Sequence, residues 1–207
     1  VIELYTGSEL NLKETEFPNL ANEYIVVSGE AGRYHGNVQI SFISKISKLE
    51  DKTSIAEPVF DFPAISAEEI AGWKWTYEGN TYDNQAVPGL VNSLRSVTGT
   101  LVAGSIKDSE GKTVTDPSAL KNNRATFQLQ VGDQVITVAY DYHADREGKV
   151  GLFNALKAAL AKGGEMTIKG TMRYDNGRDK DQPFGYVAGN SQVWTIVPYL
   201  AEHIVTK

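Results

Sequence analysis

Glu165-Met-Thr-Ile-Lys-Gly-Thr-Met-Arg-Tyr-Asp-Asn-Gly-Arg-Asp-Lys-Asp181 is the stretch that decides how this chain is read. An alanine-rich helical segment precedes it and Val193-Trp-Thr-Ile-Val197 follows. The order is helix, glycine break, strand, polar hairpin, strand. That is the closing half of a small Greek-key barrel, and it points to a binding module rather than an enzyme.

Working outward, the third region, 96–207, is the most regular. Val97 to Ile106 reads as a long strand with Gly99 and Gly104 inside it. Interior glycines mark bends or bulges, which a small barrel needs in order to close. A polar loop runs from Lys107 to Asn123. Arg124 to Val131 and Gln134 to Tyr142 alternate apolar and polar residues about a Gly132-Asp133 turn. Phe127, Leu129 and Val131 share one face; Ile136, Val138 and Tyr140 share another. Val150 to Lys162 carries Leu152, Leu156 and Leu160 at a helical spacing of four, and Gly163 stops it. Strands Met166–Tyr174 and Gln192–Pro198 end the region.

The region 1–58 reads as three strands, Val1–Tyr5, Glu23–Gly29 and Val38–Ile46, with Val38, Ile40 and Phe42 expected on one face. The region 59–95 reads as a structured connector. Ser66 and Glu69 make a capping-box-like helix start. Trp73-Lys-Trp-Thr-Tyr77 alternates aromatic and polar residues as a strand would, with Gly79-Asn80 as its turn.

A helix between the third and fourth of five strands is the pattern of the OB-fold, a five-stranded Greek-key barrel. Leu160-Ala-Lys-Gly-Gly-Glu-Met-Thr-Ile-Lys-Gly-Thr-Met-Arg-Tyr174, with Asp179-Lys-Asp181, resembles bacterial single-stranded DNA-binding proteins where helix, strand and a DKDG-like turn meet. The resemblance covers about 25 of 207 residues; Gln182 stands where that turn would carry glycine, and the acidic tail ending in phenylalanine is lacking. It implies an OB-fold barrel that holds single strands.

Ile25-Val-Val-Ser-Gly-Glu-Ala-Gly-Arg-Tyr34 is similar to Ile168-Lys-Gly-Thr-Met-Arg-Tyr174, and each precedes an Asn-containing turn and a Gln-bearing strand. The fold expected is therefore mainly β, with tandem OB-fold-like five-stranded Greek-key barrels, the N-terminal one partial or permuted. Its first two strands are missing from this segment, or Trp73 to Tyr82 supplies them by circular permutation, or its edge pairs with another chain as an oligomer.

The chain has no cysteine, which excludes disulfides, thiolate metal sites and cysteine nucleophiles. No apolar run approaches the roughly 20 residues of a membrane-spanning helix. A start at Val1 suggests a mature or trimmed form; the compartment is expected to be cytoplasmic for a nucleic-acid binder and exported if an upstream signal has been removed. The net charge of −6 divides as −4 for residues 1–58, −3 for 59–95 and +1 for 96–207. Any polyanion site should lie in the last region, because nucleic-acid binders present a basic face.

His35, His143 and His203 fall in no metal-ligand spacing and read as surface or edge residues. Asp175, Asp179 and Asp181 could hold a hard cation, but Arg178 and Lys180 interleave them, so they read as a solvated hairpin tip. Asp141, His143 and Asp145 invite a metal or acid–base role on a generic spacing. No phosphate-binding glycine loop is present, no cofactor is expected, and the chain reads as non-catalytic.

OB-folds stack bases on aromatic rings and track phosphates with Lys and Arg. The candidate nucleic-acid-binding residues are Lys169, Arg173, Tyr174, Arg178, Lys180, Phe184, Tyr186 and Trp194. Alternation puts Lys169 and Arg173 outward, whereas Trp194 is either an outward platform or barrel filling. Outward Thr126, Gln128 and Gln130 suit protein or glycan as well as nucleic acid. The partner expected is single-stranded nucleic acid, with a protein- or glycan-binding module, or a structural spacer, as the alternative.

Overall fold

The computed structural model describes residues 3–4, 23–34, 37–51, 53, 55, 60–84, 86–121, 124–140, 151–175 and 193–207. The chain divides into two compact units, Val1–Phe60 and Asp61–Lys207. The described elements are mainly strands.

In the first unit β1 (Glu3–Leu4), β2 (Ile25–Tyr34) and β3 (Asn37–Lys48) form a sheet in the order β1-β3-β2. β2 and β3 are antiparallel, and β1 runs parallel to β3. The register slips between Ser28 and Glu30. Gly29 sits there because a Cβ would lie 2.7 Å from both Ile40 Cγ2 and Ser41 O. Phe42 adopts φ +48 beside this bulge. The expected face of Val38, Ile40 and Phe42 therefore breaks: Phe42 is 62 % exposed, and Ile43 is buried in its place. Between Ser28↔Lys45 and Glu30↔Ser41 β3 uses two more residues than β2, and the positive φ at Phe42 re-aims the side chains within that irregularity.

The second unit begins with α1 (Ala67–Gly72), followed by a two-stranded hairpin of β4 (Lys74–Tyr77) and β5 (Asn80–Asp83). Ser66 Oγ accepts the Glu69 N–H at 3.1 Å, as a cap should. The Glu69 carboxylate turns to Arg95. The hairpin turn is Glu78-Gly79, with φ +48 and +78, one residue earlier than expected. Two successive positive φ values give the two-residue turn that matches strand twist. Among the described residues β4 and β5 form a two-stranded sheet of their own.

The remaining elements are β6 (Leu94–Leu101), β7 (Ala125–Val131), β8 (Gln134–Tyr140), α2 (Leu152–Lys162), β9 (Glu165–Asp175), β10 (Val193–Val197) and β11 (Ile204–Thr206). β6, β7, β8, β10 and β9 are neighbours in that order, and β9 returns to pair with β6, so five strands close into a barrel. β10 runs parallel to β8 and antiparallel to β9. β6 ends at Leu101, short of the expected Ile106, because Gly104 turns the chain with φ +71.

The inward residues fill the barrel. Val97, Phe127, Leu129, Val138, Ile168, Met172 and Ile196 are fully buried. α2 adds Leu152, Leu156 and Leu160, the spacing-of-four row read from the sequence. The segment read as a connector joins this core through Ile65, Ile70, Trp73 and Leu90. Fully burying one such side chain is worth about 1.5–3 kcal/mol.

β11 has no counterpart in the sequence reading. It covers the half of β9 that β10 leaves open: β10 pairs with Thr171 to Asp175, and β11 with Met166 to Ile168. Gly170 lies at this change of partner. A Cβ there would come within 2.3 Å of Val197 O and 3.0 Å of Pro198 N. Backbone cannot yield as a flexible side chain can. Gly170→Ala is therefore expected to cost about 1–3 kcal/mol by overpacking, measured by denaturant unfolding. Gly72→Ala, which meets nothing within 4 Å, should be neutral or stabilising.

Candidate functional site

β9 presents two chemically different faces. Ile168, Met172 and Tyr174 are buried in the barrel. Lys169 and Arg173 alternate with them and lie, half-buried, on the outer face. Two segments from elsewhere bring rings to these cations. The segment around Phe62 is bound along the free edge of β6: Ser96 N donates to Pro63 O at 3.0 Å and Ile65 N to Ser96 O at 2.8 Å. Ser96 Oγ donates to Phe62 O at 2.8 Å. The connection from β10 to β11 supplies Tyr199 and His203.

The result is a strip of paired cations and rings. Lys169 Nζ lies 5.9 Å from the Phe62 ring centroid, and the Arg173 guanidinium 5.6 Å from that of Tyr199. Arg173 Nη2 also donates to the Tyr199 hydroxyl. Phe62 meets His203 edge to face at 5.1 Å. The Tyr199 N–H donates to His203 Nδ1 at 3.3 Å, which requires an unprotonated Nδ1. Burial pushes the His203 pKa below its ordinary value of 6.5; Lys169 pushes the same way and Glu202 opposes. His203, expected as a surface or edge residue, is half-buried in this strip.

Trp194, which alternation left on either side, and Tyr174 both face the interior. They are 1 % and 4 % exposed and meet edge to face at 5.1 Å. Trp194 pairs with Tyr174 and shares its inward side. Both are tied to the end of the β4–β5 hairpin. Trp194 Nε1 donates to Asn84 O at 2.9 Å, and Tyr174 Oη to Asp83 O at 3.1 Å. The Asp83 carboxylate accepts the Trp194 N–H at 2.7 Å and pairs with Lys74 Nζ at 2.7 Å. Trp73 packs on Trp194 with centroids 6.2 Å apart.

The outer face across β7, β8 and β10 is neutral where described. Thr126, Thr137 and Thr195 are buried, and Gln128 and Gln130 are half-buried. Arg178, Lys180, Phe184 and Tyr186 lie outside the described residues, as do His35, Asp141, His143, Asp145, Asp179 and Asp181. Among the described residues no three His, Cys, Asp or Glu side chains are grouped to hold a metal ion, and no helix is long and apolar enough to cross a membrane.

Sequence reasoning placed Lys169 and Arg173 outward but missed Phe62, Tyr199 and His203. No local periodicity marks them, because each lies in an irregular segment next to proline or in a short turn. No protein-family model matches the chain, and no curated protein is significantly similar to it.

Two outcomes follow from these contacts. Asp83→Ala leaves the Trp194 N–H and the Lys74 ammonium without their acceptor, and should destabilise the second unit by about 2–4 kcal/mol in denaturant titrations. For His203, the folded pKa lies below the unfolded one, so the unfolded state takes up the proton first. Its stabilising contribution is complete above about pH 6.5 and is lost as pH falls through the lower folded value. Between about pH 7.5 and 5.5 the wild type should lose more thermal stability than His203→Gln.

Proposed function

We propose that this chain is a non-catalytic binding module whose C-terminal barrel is an OB-fold and which holds single-stranded nucleic acid along the outer face of β9. The strand circuit β6-β7-β8-β10-β9, with α2 between the third and fourth strands, supports the fold assignment. The N-terminal unit is read as a partial relative of the same barrel, its β2–β3 pair corresponding to β9–β10.

The observation that carries the ligand assignment is the strip Lys169–Phe62–His203 and Arg173–Tyr199. Its cations stand four residues apart on an extended strand, roughly 13 Å. Cations that track phosphates beside rings that accept bases are the elements of sequence-tolerant single-strand binding. The non-catalytic reading is supported, among the described residues, by His203, which faces a ring and a backbone N–H rather than a hydroxyl nucleophile.

A second reading, a module for glycan or protein, is favoured by the interior position of Trp194 and Tyr174 together with the acidic charge balance.

Fluorescence anisotropy with a labelled oligothymidine separates the two. Under the first reading binding is tight at low salt and weakens steeply as salt rises. Lys169→Ala and Arg173→Ala should each weaken it about three- to tenfold and reduce the log–log salt slope by about 0.7. Absence of binding at low salt overturns the nucleic-acid reading.

A further inference from the structure

A cluster of exposed aromatic rings stands on the β4–β5 hairpin, formed by residues other than those of the β9 strip. Trp75 and Tyr82 are directly opposed across the strands, and Tyr77 lies two residues along on the same side. Trp75 and Tyr77 are 49 % and 56 % exposed, and Tyr82 is half-buried. The Trp75 ring lies 5.3 Å from that of Tyr82 and 6.0 Å from that of Tyr77, with interplanar angles of only 35° and 37°. The three rings, each tilted on its neighbour, form one exposed aromatic shelf on the hairpin.

The shelf is tied at its foot to the barrel. Its tip is the Glu78-Gly79 turn. At its foot Asn84 N donates to Trp73 O at 2.6 Å, and Asp83 binds both Lys74 and the Trp194 N–H. Trp73, immediately before β4, is buried in the barrel core. Rings already packed on one another lose little conformational entropy when a ligand settles on them.

Charge selects the class of ligand. The hairpin has one cation, Lys74, and it is paired with Asp83 at 2.7 Å. Glu78 stands at the exposed tip, and Asn80, opposite Tyr77, adds an exposed amide. A polyanion would meet a carboxylate and find no open cation on this hairpin. These groups suit a neutral sugar ring, whose axial C–H face can pack on aromatic rings while its rim hydroxyls bond exposed groups such as Asn80 and Glu78. A flat chain needs equatorial linkages to present successive rings to one plane.

We infer that the Trp75–Tyr77–Tyr82 shelf is a binding site for a neutral, equatorially linked pyranose glycan. The inference rests on the second reading above and names its ligand.

Trp75 makes the test site-specific, because the other two tryptophans, Trp73 and Trp194, are buried. The full chain is titrated with β-1,4-linked gluco-, xylo- and manno-oligosaccharides while tryptophan emission is followed. At least one should give a saturable shift that is insensitive to salt. Trp75→Ala should abolish the signal. By calorimetry, Trp75→Ala and Tyr82→Ala should each weaken binding at least about tenfold, as loss of an aromatic anchor does, with the unfolding temperature retained in at least one of them.

No shift with any of the three sugars, and none with an oligothymidine, overturns this inference alone. Salt-sensitive quenching by the oligothymidine in place of the sugars overturns both the inference and the reading beneath it. An emission change that depends on protein concentration without sugar assigns the shelf to a second copy and overturns the glycan. Unchanged sugar affinity in Trp75→Ala overturns the site.

Discussion

The Asp83 carboxylate joins three things that would otherwise be separate. One oxygen holds Lys74 across the hairpin, and the other takes the backbone N–H of Trp194 on the opening residues of β10. Its own carbonyl receives the Tyr174 hydroxyl. Asp83 is buried, so its charge is tolerable only because these donors surround it. That requirement fixes the hairpin against the barrel end and buries Trp194 and Tyr174. It also leaves the opposite side of the hairpin, with Trp75 and Tyr77, facing solvent. The same acid therefore removes one pair of aromatic residues from the candidate surface and displays another.

Barrel closure accounts for the second surface. β10 must pair with β8 on one side and β9 on the other, but it is too short to cover all of β9. The chain turns back after Pro198 and adds β11 to the uncovered half. Tyr199 and His203 lie in that return. The free edge of β6 is met by the segment carrying Phe62. Half-buried rings thus gather around Lys169 and Arg173 because two irregular segments must satisfy open strand edges. The strip is a by-product of hydrogen-bond satisfaction as much as a feature of β9.

Elements with a strong local period were legible. α2 was visible in Leu152, Leu156 and Leu160, and β7 in Phe127, Leu129 and Val131. These side chains are buried as their spacing requires. Where a positive φ interrupts the period, alternation no longer tells which face a side chain takes. Simple alternation groups Phe42 with Val38 and Ile40, but at φ +48 Phe42 is exposed and Ile43 beside it is buried. The hairpin turn falls one residue before Gly79-Asn80, a good turn pair by composition, because Glu78 adopts a left-handed conformation that its side chain does not announce. Ser66 was right as a cap, but Glu69 found a stronger partner in Arg95 than the helix end offered. Of the candidate residues, Lys169 and Arg173 stand outward as alternation required, while Tyr174 and Trp194 are interior.

By itself the sequence determined that strands surround one helix in the second half of the chain, which side of β9 carries charge, and where glycine ends α2. Each depends on neighbours a few residues apart, and periodicity reports those directly. Only the tertiary structure decided that Trp194 lies inside and Trp75 outside, and that Phe62 and His203 meet beside Lys169. Alternation divides a strand into two faces without saying which one the closed sheet will enclose. That choice is made by strand pairing between residues far apart in the chain, and by the buried carboxylate that locks one pairing in place.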